Sequence, residues 1–257
     1  MSLRLKSELR LRLGPQHCEA ALWQRGLRKR CIASFTQCGS GASQLDQAID
    51  GLVAAGHQLP DAAAISIDDE LLYFATMPAA GNWQETRASA AAYFADSLGL
   101  EGLLVEVCLA PGGRNWLSVA LDAGLADGWR AALDQRGIAL RHLRVGLFED
   151  LLRLRASESL RDGSLVLLRR EGATFVSMAA GAITEIAWER CEVKDPEALL
   201  ARVRAHCERR SPPEVDGLAR RPVFVLPFDL EQQEALAPIA AQQAWRLLAL
   251  AQVGQPA

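Results

Sequence analysis

The sequence predicts an α/β protein with mixed sheets, built from two copies of one unit. Three observations predict it. The chain opens on an unbroken alternation of polar and apolar residues, glycine and proline turns then cut the next segments to strand length, and the order three strands, helix, strand occurs in both halves.

Along residues 2–13, Leu3, Leu5, Leu9, Leu11 and Leu13 fall on one face. Arg4, Lys6, Glu8, Arg10 and Arg12 fall on the other, and only Ser7 interrupts the apolar series. Side chains alternate sides along a strand, so this is a half-buried strand. Gly14-Pro15 turns the chain into a second strand over 18–24. Gly26 turns it again, and Cys31, Ala33 and Phe35 mark a third, which completes an antiparallel meander. Beyond the Gly39-Ser40-Gly41 loop lies an amphipathic helix with Leu45, Ile49, Leu52 and Val53 on one face. Short apolar strands follow at 62–67 and 71–76. Asn82, with Glu85 three residues on, caps a helix that runs to about Leu98. Strands at 103–109 and 116–121 are joined by Pro111-Gly112-Gly113. Asp122 caps the next helix, which stops at Arg136 before Gly137, and a short strand and a helix near 148–155 finish the first part.

The second part repeats the opening theme. Strands at 164–168, 174–178 and 183–188 are separated by Glu171-Gly172 and Gly181. Asp195-Pro196 starts a helix that runs to Arg209, 223–226 is a strand, and Asp229 caps a last helix through Ala251. The expected division is a first lobe over 1–160, with an inserted subdomain at about 71–145, and a second lobe over 161–257.

Composition narrows the function classes. Of the 257 residues, 50% are hydrophobic and 23% charged, which excludes a disordered chain. A net charge of −3 gives no global attraction to nucleic acid or membrane. Lys6, Lys29 and Lys194 are the only lysines, so few side chains are available for a phosphate-binding or Schiff-base role. Cys18, Cys31, Cys38, Cys108, Cys191 and Cys207 contain no CxxC pair and read as buried thiols of a reducing compartment. His17 lies near the first three, but the spacing fits no familiar zinc pattern. His17, His57, His142 and His206 suggest no triad and read as surface or capping residues. Charges interrupt the N-terminal apolar residues, and no stretch approaches the roughly 18 apolar residues of a spanning helix. A soluble, cytoplasmic chain is expected.

The Ala110–Asn115 segment is glycine-rich, but it joins two strands and reads as a hairpin loop rather than a phosphate cradle. Arg25, Arg28, Lys29 and Arg30 cluster at a strand turn. They read as a solvated tip, with weak attraction to an anionic membrane surface or an acidic partner as the functional alternative. No aromatic residues interleave them, which argues against nucleic acid. Arg202, Arg204, Arg209 and Arg210 are balanced by Glu197 and Glu208 and read as a solvated helix face.

Three antiparallel strands followed by helix, strand and helix is the plan of the ribonuclease-H-like unit, and two in tandem resemble the actin-like ATPase superfamily. Within it the chain is similar to the PilM family of type IV pilus assembly and to the cytoplasmic domain of GspL from type II secretion. The resemblance is carried by residues 71–155. Its marks are the strand ending at Met77-Pro78, the helix with Tyr93-Phe94, the hairpin over 105–120, the SVALDAGL segment at 118–125, and the helix with Trp129 and Leu133. The Gly137-Ile138 step into a helix over 147–154 completes the run.

Members of that superfamily hold Mg-ATP between two strand turns, each with an Asp, a Gly and small hydroxyl residues. Here the first turn is Leu13-Gly14-Pro15-Gln16-His17, without Asp, Ser or Thr, and Pro15 removes a donor. The second is Arg169-Arg170-Glu171-Gly172-Ala173-Thr174, with Arg169 or Arg170 where the metal-organising Asp is expected. Val225-Leu226-Pro227-Phe228-Asp229 stands where the family has a Gly-Gly turn for adenosine. Gly14 and Gly172 therefore read as turn glycines of degraded loops. Neither a catalytic residue nor a metal ligand is expected, nor is ATP as cofactor, and Glu8 alone on the first strand cannot supply two-metal nuclease chemistry.

The resemblance implies a non-enzymatic cytoplasmic scaffold at the inner face of a bacterial inner membrane, peripheral to it through its partners. It would bind the cytoplasmic tail of a single-span, PilN-like membrane protein, with an assembly motor as a second candidate contact. The alternative is a degenerate actin-like or sugar-kinase-like phosphotransferase.

Overall fold

The structure is a computed structural model and describes residues 7–24, 30–78, 81–110, 113, 115–157, 161–192, 195–208 and 222–248. The first half supplies β1 (Ser7–Gly14), β2 (His17–Gln24), β3 (Arg30–Gln37), α1 (Ala42–Ala54) and β4 (Ala62–Ile67). A single 3-10 turn (Asp69–Leu71) leads to β5 (Tyr73–Pro78), α2 (Trp83–Leu98), β6 (Leu103–Leu109) and β7 (Asn115–Asp122). Then come α3 (Ala123–Gln135), β8 (Ala139–Val145) and α4 (Gly146–Ser157). The second half contains β9 (Gly163–Leu168), β10 (Gly172–Ala179), β11 (Ala182–Arg190), α5 (Pro196–Glu208), β12 (Val223–Leu226), α6 (Leu230–Gln243) and β13 (Arg246–Leu247).

The duplication is explicit in the strand order. One five-stranded sheet runs β3-β2-β1-β4-β8 and the other β11-β10-β9-β12-β13. In each, an antiparallel meander is extended by a parallel strand, Leu9 beside Ala63 in one and Ser164 beside Val223 in the other. Leu9, Leu11 and Leu13 fill the core beneath the first sheet with Leu45, Ile49, Leu52, Ile65 and Ile67. The α3 helix packs onto the same core through buried Trp129, whose indole N–H donates to the Ser40 carbonyl at 2.8 Å.

The helix caps lie where the sequence puts them. Asn82 and Glu85 form a reciprocal capping box on α2, the Asp122 carboxylate accepts from Gly124 and Leu125 at the start of α3, and Asp229 accepts from Gln232. The β6–β7 hairpin is closed by the Ala110 N–H, which donates to the Asn115 carbonyl at 2.8 Å; residues 111, 112 and 114 lie outside the described residues.

Several expectations are corrected. Val53 is 48% exposed, and Ala48 takes its place in the buried stripe with Leu45, Ile49 and Leu52. At 100° per residue Val53 lies about 80° round from Leu45, beyond the apolar arc. The last helix does not reach Ala251. It ends at Gln243, where Ala244 adopts a left-handed conformation, and β13 then pairs with β12. A third sheet, ordered β5-β7-β6 and backed by α2, accounts for residues 73–122 of the expected 71–145 insert, whereas β8 returns to the first sheet. The cysteines are not uniformly buried, for Cys31, Cys38 and Cys108 are exposed. His17 and His206 are buried, the latter stacked on Phe175 at 4.3 Å between ring centres. Residues 25–29 and 209–221, with most of the basic clusters, lie outside the described residues; Arg30 is exposed.

Among the described residues, no helix is long and apolar enough to cross a membrane.

Candidate functional site

The two meander turns, 14–17 and 169–172, face the segment Asp68-Asp69-Glu70 that follows β4. Apolar β4 ends at Ile67, and the three acidic residues emerge where the lobes meet. Asp68 serves the first lobe. Its carboxylate accepts from Arg12 Nε at 2.8 Å and lies 3.2 Å from His17 Nε2. Asp69 serves the second. Fully buried, it accepts from Arg169 Nε at 2.8 Å and from the Thr174 hydroxyl at 2.7 Å, while Arg169 Nη2 approaches the same oxygen at 2.7 Å off its donor axis. Its other oxygen accepts from the Leu147 N–H at 3.1 Å, which caps the first turn of α4 from outside the helix. Arg169 continues to Asp150 of α4 at 2.9 Å, and Glu70 accepts from the Glu171 N–H at 2.7 Å.

Burial of this network sets its charges. Desolvation works against the Arg169 cation, but Asp69 and Asp150 outweigh it and raise its pKa above the ordinary value. Burial would also raise Asp68, yet the His17 hydrogen bond and Arg12 outweigh it and hold that carboxyl below the usual aspartate range. Asp150 and Glu70 shift the other way, upward, because burial dominates the attractions around them.

Arg169 thus stands at the position where sequence reasoning places it, but its guanidinium is turned into the protein and taken up by two carboxylates. Arg170 lies over the Phe228 ring at 5.3 Å and covers the segment after β12. Gly14 and Gly172 are more than turn residues. A Cβ on Gly14 would come within 2.3 Å of the His17 ring, and one on Gly172 within 2.3 Å of the Glu189 carbonyl oxygen. Each is glycine because another group occupies the space. Among the described residues, no group of three or more His, Cys, Asp or Glu is disposed to hold a metal ion.

The residues that sequence reasoning missed are Asp68, Asp69, Glu70 and Asp150. The available signal was three consecutive carboxylates directly after a buried strand, a place where unpaired charge is costly.

A second feature lies on the first lobe. A groove of about 710 Å³ runs between the small sheet and the β8–α4 corner, lined by Leu104, Val107, Leu117 and Val119 on one wall and Leu143, Val145, Phe148 and Leu152 on the other. β8 is the outer strand of its sheet and β6 of the small sheet, and both contribute to the lining. Leu152 is 71% exposed, so the apolar lining reaches the protein exterior. Charged groups at its margin are already paired: Arg144 with Glu149 at 3.2 Å, and Arg87 with Glu106 at 3.4 Å.

Two facing units of one topology, with a small subdomain inserted after the fourth strand of the first, define the actin-like ATPase fold, and the chain has that fold. Comparison with solved structures bears this out. The chain is similar to one in the PilM-PilN type IV pilus biogenesis complex, with a TM-score of 0.66 and 13% identity over 93% of this chain and 87% of that one. It is also similar to the cytoplasmic domain of EpsL, an inner-membrane component of the Vibrio cholerae type II secretion system, with a TM-score of 0.55 and 13% identity over 87% and 84%. A Bacteroides thetaiotaomicron protein of actin-like ATPase fold and unknown function aligns with a TM-score of 0.59 and 8% identity over 96% and 91%. No family model matches the sequence, and no curated protein matches it significantly.

Proposed function

We propose that the chain is a non-enzymatic scaffold of a type IV pilus or type II secretion-like assembly platform. In this reading it acts at the inner face of the inner membrane and receives the cytoplasmic tail of a single-span, PilN-like partner. The observation that carries the reading is the apolar groove between two outer strands, in a chain whose interlobe cleft is bridged by its own side chains. An extended segment laid there would gain main-chain hydrogen bonds from the edge of β8, the β6 carbonyls of Val105 and Val107 already accepting from Arg87 and Trp83, while alternate side chains enter the groove. The likeness to the PilM-PilN complex and to the EpsL cytoplasmic domain supports the setting. ATP has no part in this role, and the platform's assembly motor is a candidate for a second contact.

The test uses the cytoplasmic tail of a single-span, PilN-like protein from the same organism, as a labelled peptide in fluorescence anisotropy. Saturable binding is expected, weakened at least tenfold by Leu143→Asp or Leu152→Glu. Absence of binding, or binding indifferent to both substitutions, refutes the assignment. Saturable thermal stabilisation by Mg-ATP would overturn the nucleotide-independent reading.

A further inference from the structure

The side chains in the cleft form one continuous relay between the lobes. Arg12 and His17 of the first meander hold Asp68, the adjacent Asp69 receives Arg169 and Thr174 of the second, and Glu70 receives the Glu171 amide. The relay also reaches α4, through the Leu147 amide on Asp69 and through Asp150 on Arg169. We infer that Asp68-Asp69-Glu70 and Arg169 form a built-in latch that fixes the two lobes against each other, and α4 between them, with no bound ligand.

Two features distinguish a latch from a vacant anion site. First, donors that an anion would need are engaged: the Glu171 N–H is on Glu70, and the Arg169 guanidinium is on Asp69 and Asp150. Second, an incoming phosphate would meet three carboxylates at the second turn, Asp69, Glu70 and Asp150, with Asp68 beside them at the first, and like charges at close range in a water-poor cleft repel strongly. The planar guanidinium suits the latch because its several donors reach two carboxylates at once, a geometry that a lysine ammonium does not reproduce. The α4 helix makes the latch consequential. Leu147, Leu151 and Leu154 enter the core of the second lobe, while Phe148 and Leu152 line the groove. Arg169 is therefore a positioning residue, set in one lobe and acting on the other through Asp69 and Asp150.

Hydrogen exchange read by mass spectrometry tests this on the full chain. Arg169→Met removes the charge at similar length. Its expected effect is an increase of at least tenfold in exchange rate in peptides covering 66–72 and 146–151, on the far side of the cleft from the substitution, while β1 and residues 62–65 of β4 stay protected. Arg169→Lys keeps the charge without the fork and should show the same two-sided pattern, less strongly. It carries the test if Arg169→Met does not fold. The inference is overturned if either folded variant loses protection only around residue 169 and its strand neighbours, or if Mg-ATP changes exchange at 66–72 in the wild-type chain.

Discussion

Replacing Asp69 with asparagine keeps the shape of the side chain and removes its charge at the centre of the cleft. One oxygen can still accept from Leu147, but the amide nitrogen must then face Arg169 Nε and the Thr174 hydroxyl, which now donate at 2.8 and 2.7 Å. Two obligate donors, the amide and Arg169 Nε, would meet where one acceptor stood, and Arg169, only 6% exposed, would keep a single carboxylate partner, Asp150. Breaking a buried ion pair by removing one member costs about 3–5 kcal/mol, mostly the penalty on the charge left behind. With the lobes unfolding as one unit, roughly 2 °C per kcal/mol for a chain of this size puts the fall in Tm at about 6–10 °C. Thermal melting of wild type and Asp69→Asn measures the shift in Tm, and urea denaturation the loss of free energy. Asp127→Asn is the control: it breaks a 2.7 Å pair with Arg130 in which both side chains are more than half exposed. Solvent screening limits such a pair to below about 0.5 kcal/mol. A loss below about 1 kcal/mol for Asp69→Asn would show that the buried network does not hold the fold as reasoned.

Gly172→Ala should destabilise by about 1–3 kcal/mol in the same assay, since its Cβ would lie 2.3 Å from the Glu189 carbonyl oxygen and β11 would have to move; a neutral effect would mean that the two strands are not so closely apposed. Acid titration should show two opposing arms. Asp150 and Glu70, raised by burial, take up protons in the folded chain at a pH where the unfolded chain does not, so stability holds or rises slightly as pH falls from 7 to about 4.5. Asp68, held low by His17 and Arg12 against burial, contributes stability that is complete above about pH 4 and lost as pH falls through its folded pKa. Asp68→Asn should flatten that low-pH loss, and an unchanged acid limb would contradict the assignment.

Much of the fold was legible because its signals are local. The alternation of Leu9, Leu11 and Leu13 with Arg10 and Arg12 states a strand and its buried face, and Asn82, Asp122 and Asp229 state helix starts through their own side-chain hydrogen bonds. The errors lie where distant partners decide. Val53 is apolar but sits outside the arc that α1 buries. β13 was hidden within a helical expectation because residues 246–247 become strand by pairing with β12. Arg12 reads as part of a solvated face and is in fact drawn to Asp68, 56 residues away.

The repeated unit, most of the element order and the absence of an Asp at either meander turn can be read along the chain, since each is written in periodicity, caps and residue identity over a short stretch. What bridges the cleft follows instead from how the two lobes pack. Asp69, Asp150 and Arg169 are separated by 81 and 19 residues, and no local pattern says that they meet. They meet because two copies of one sheet face each other, which brings the end of β4 and the start of α4 to the turn of the second meander. Once buried there, each charge requires a partner, and the three supply one another.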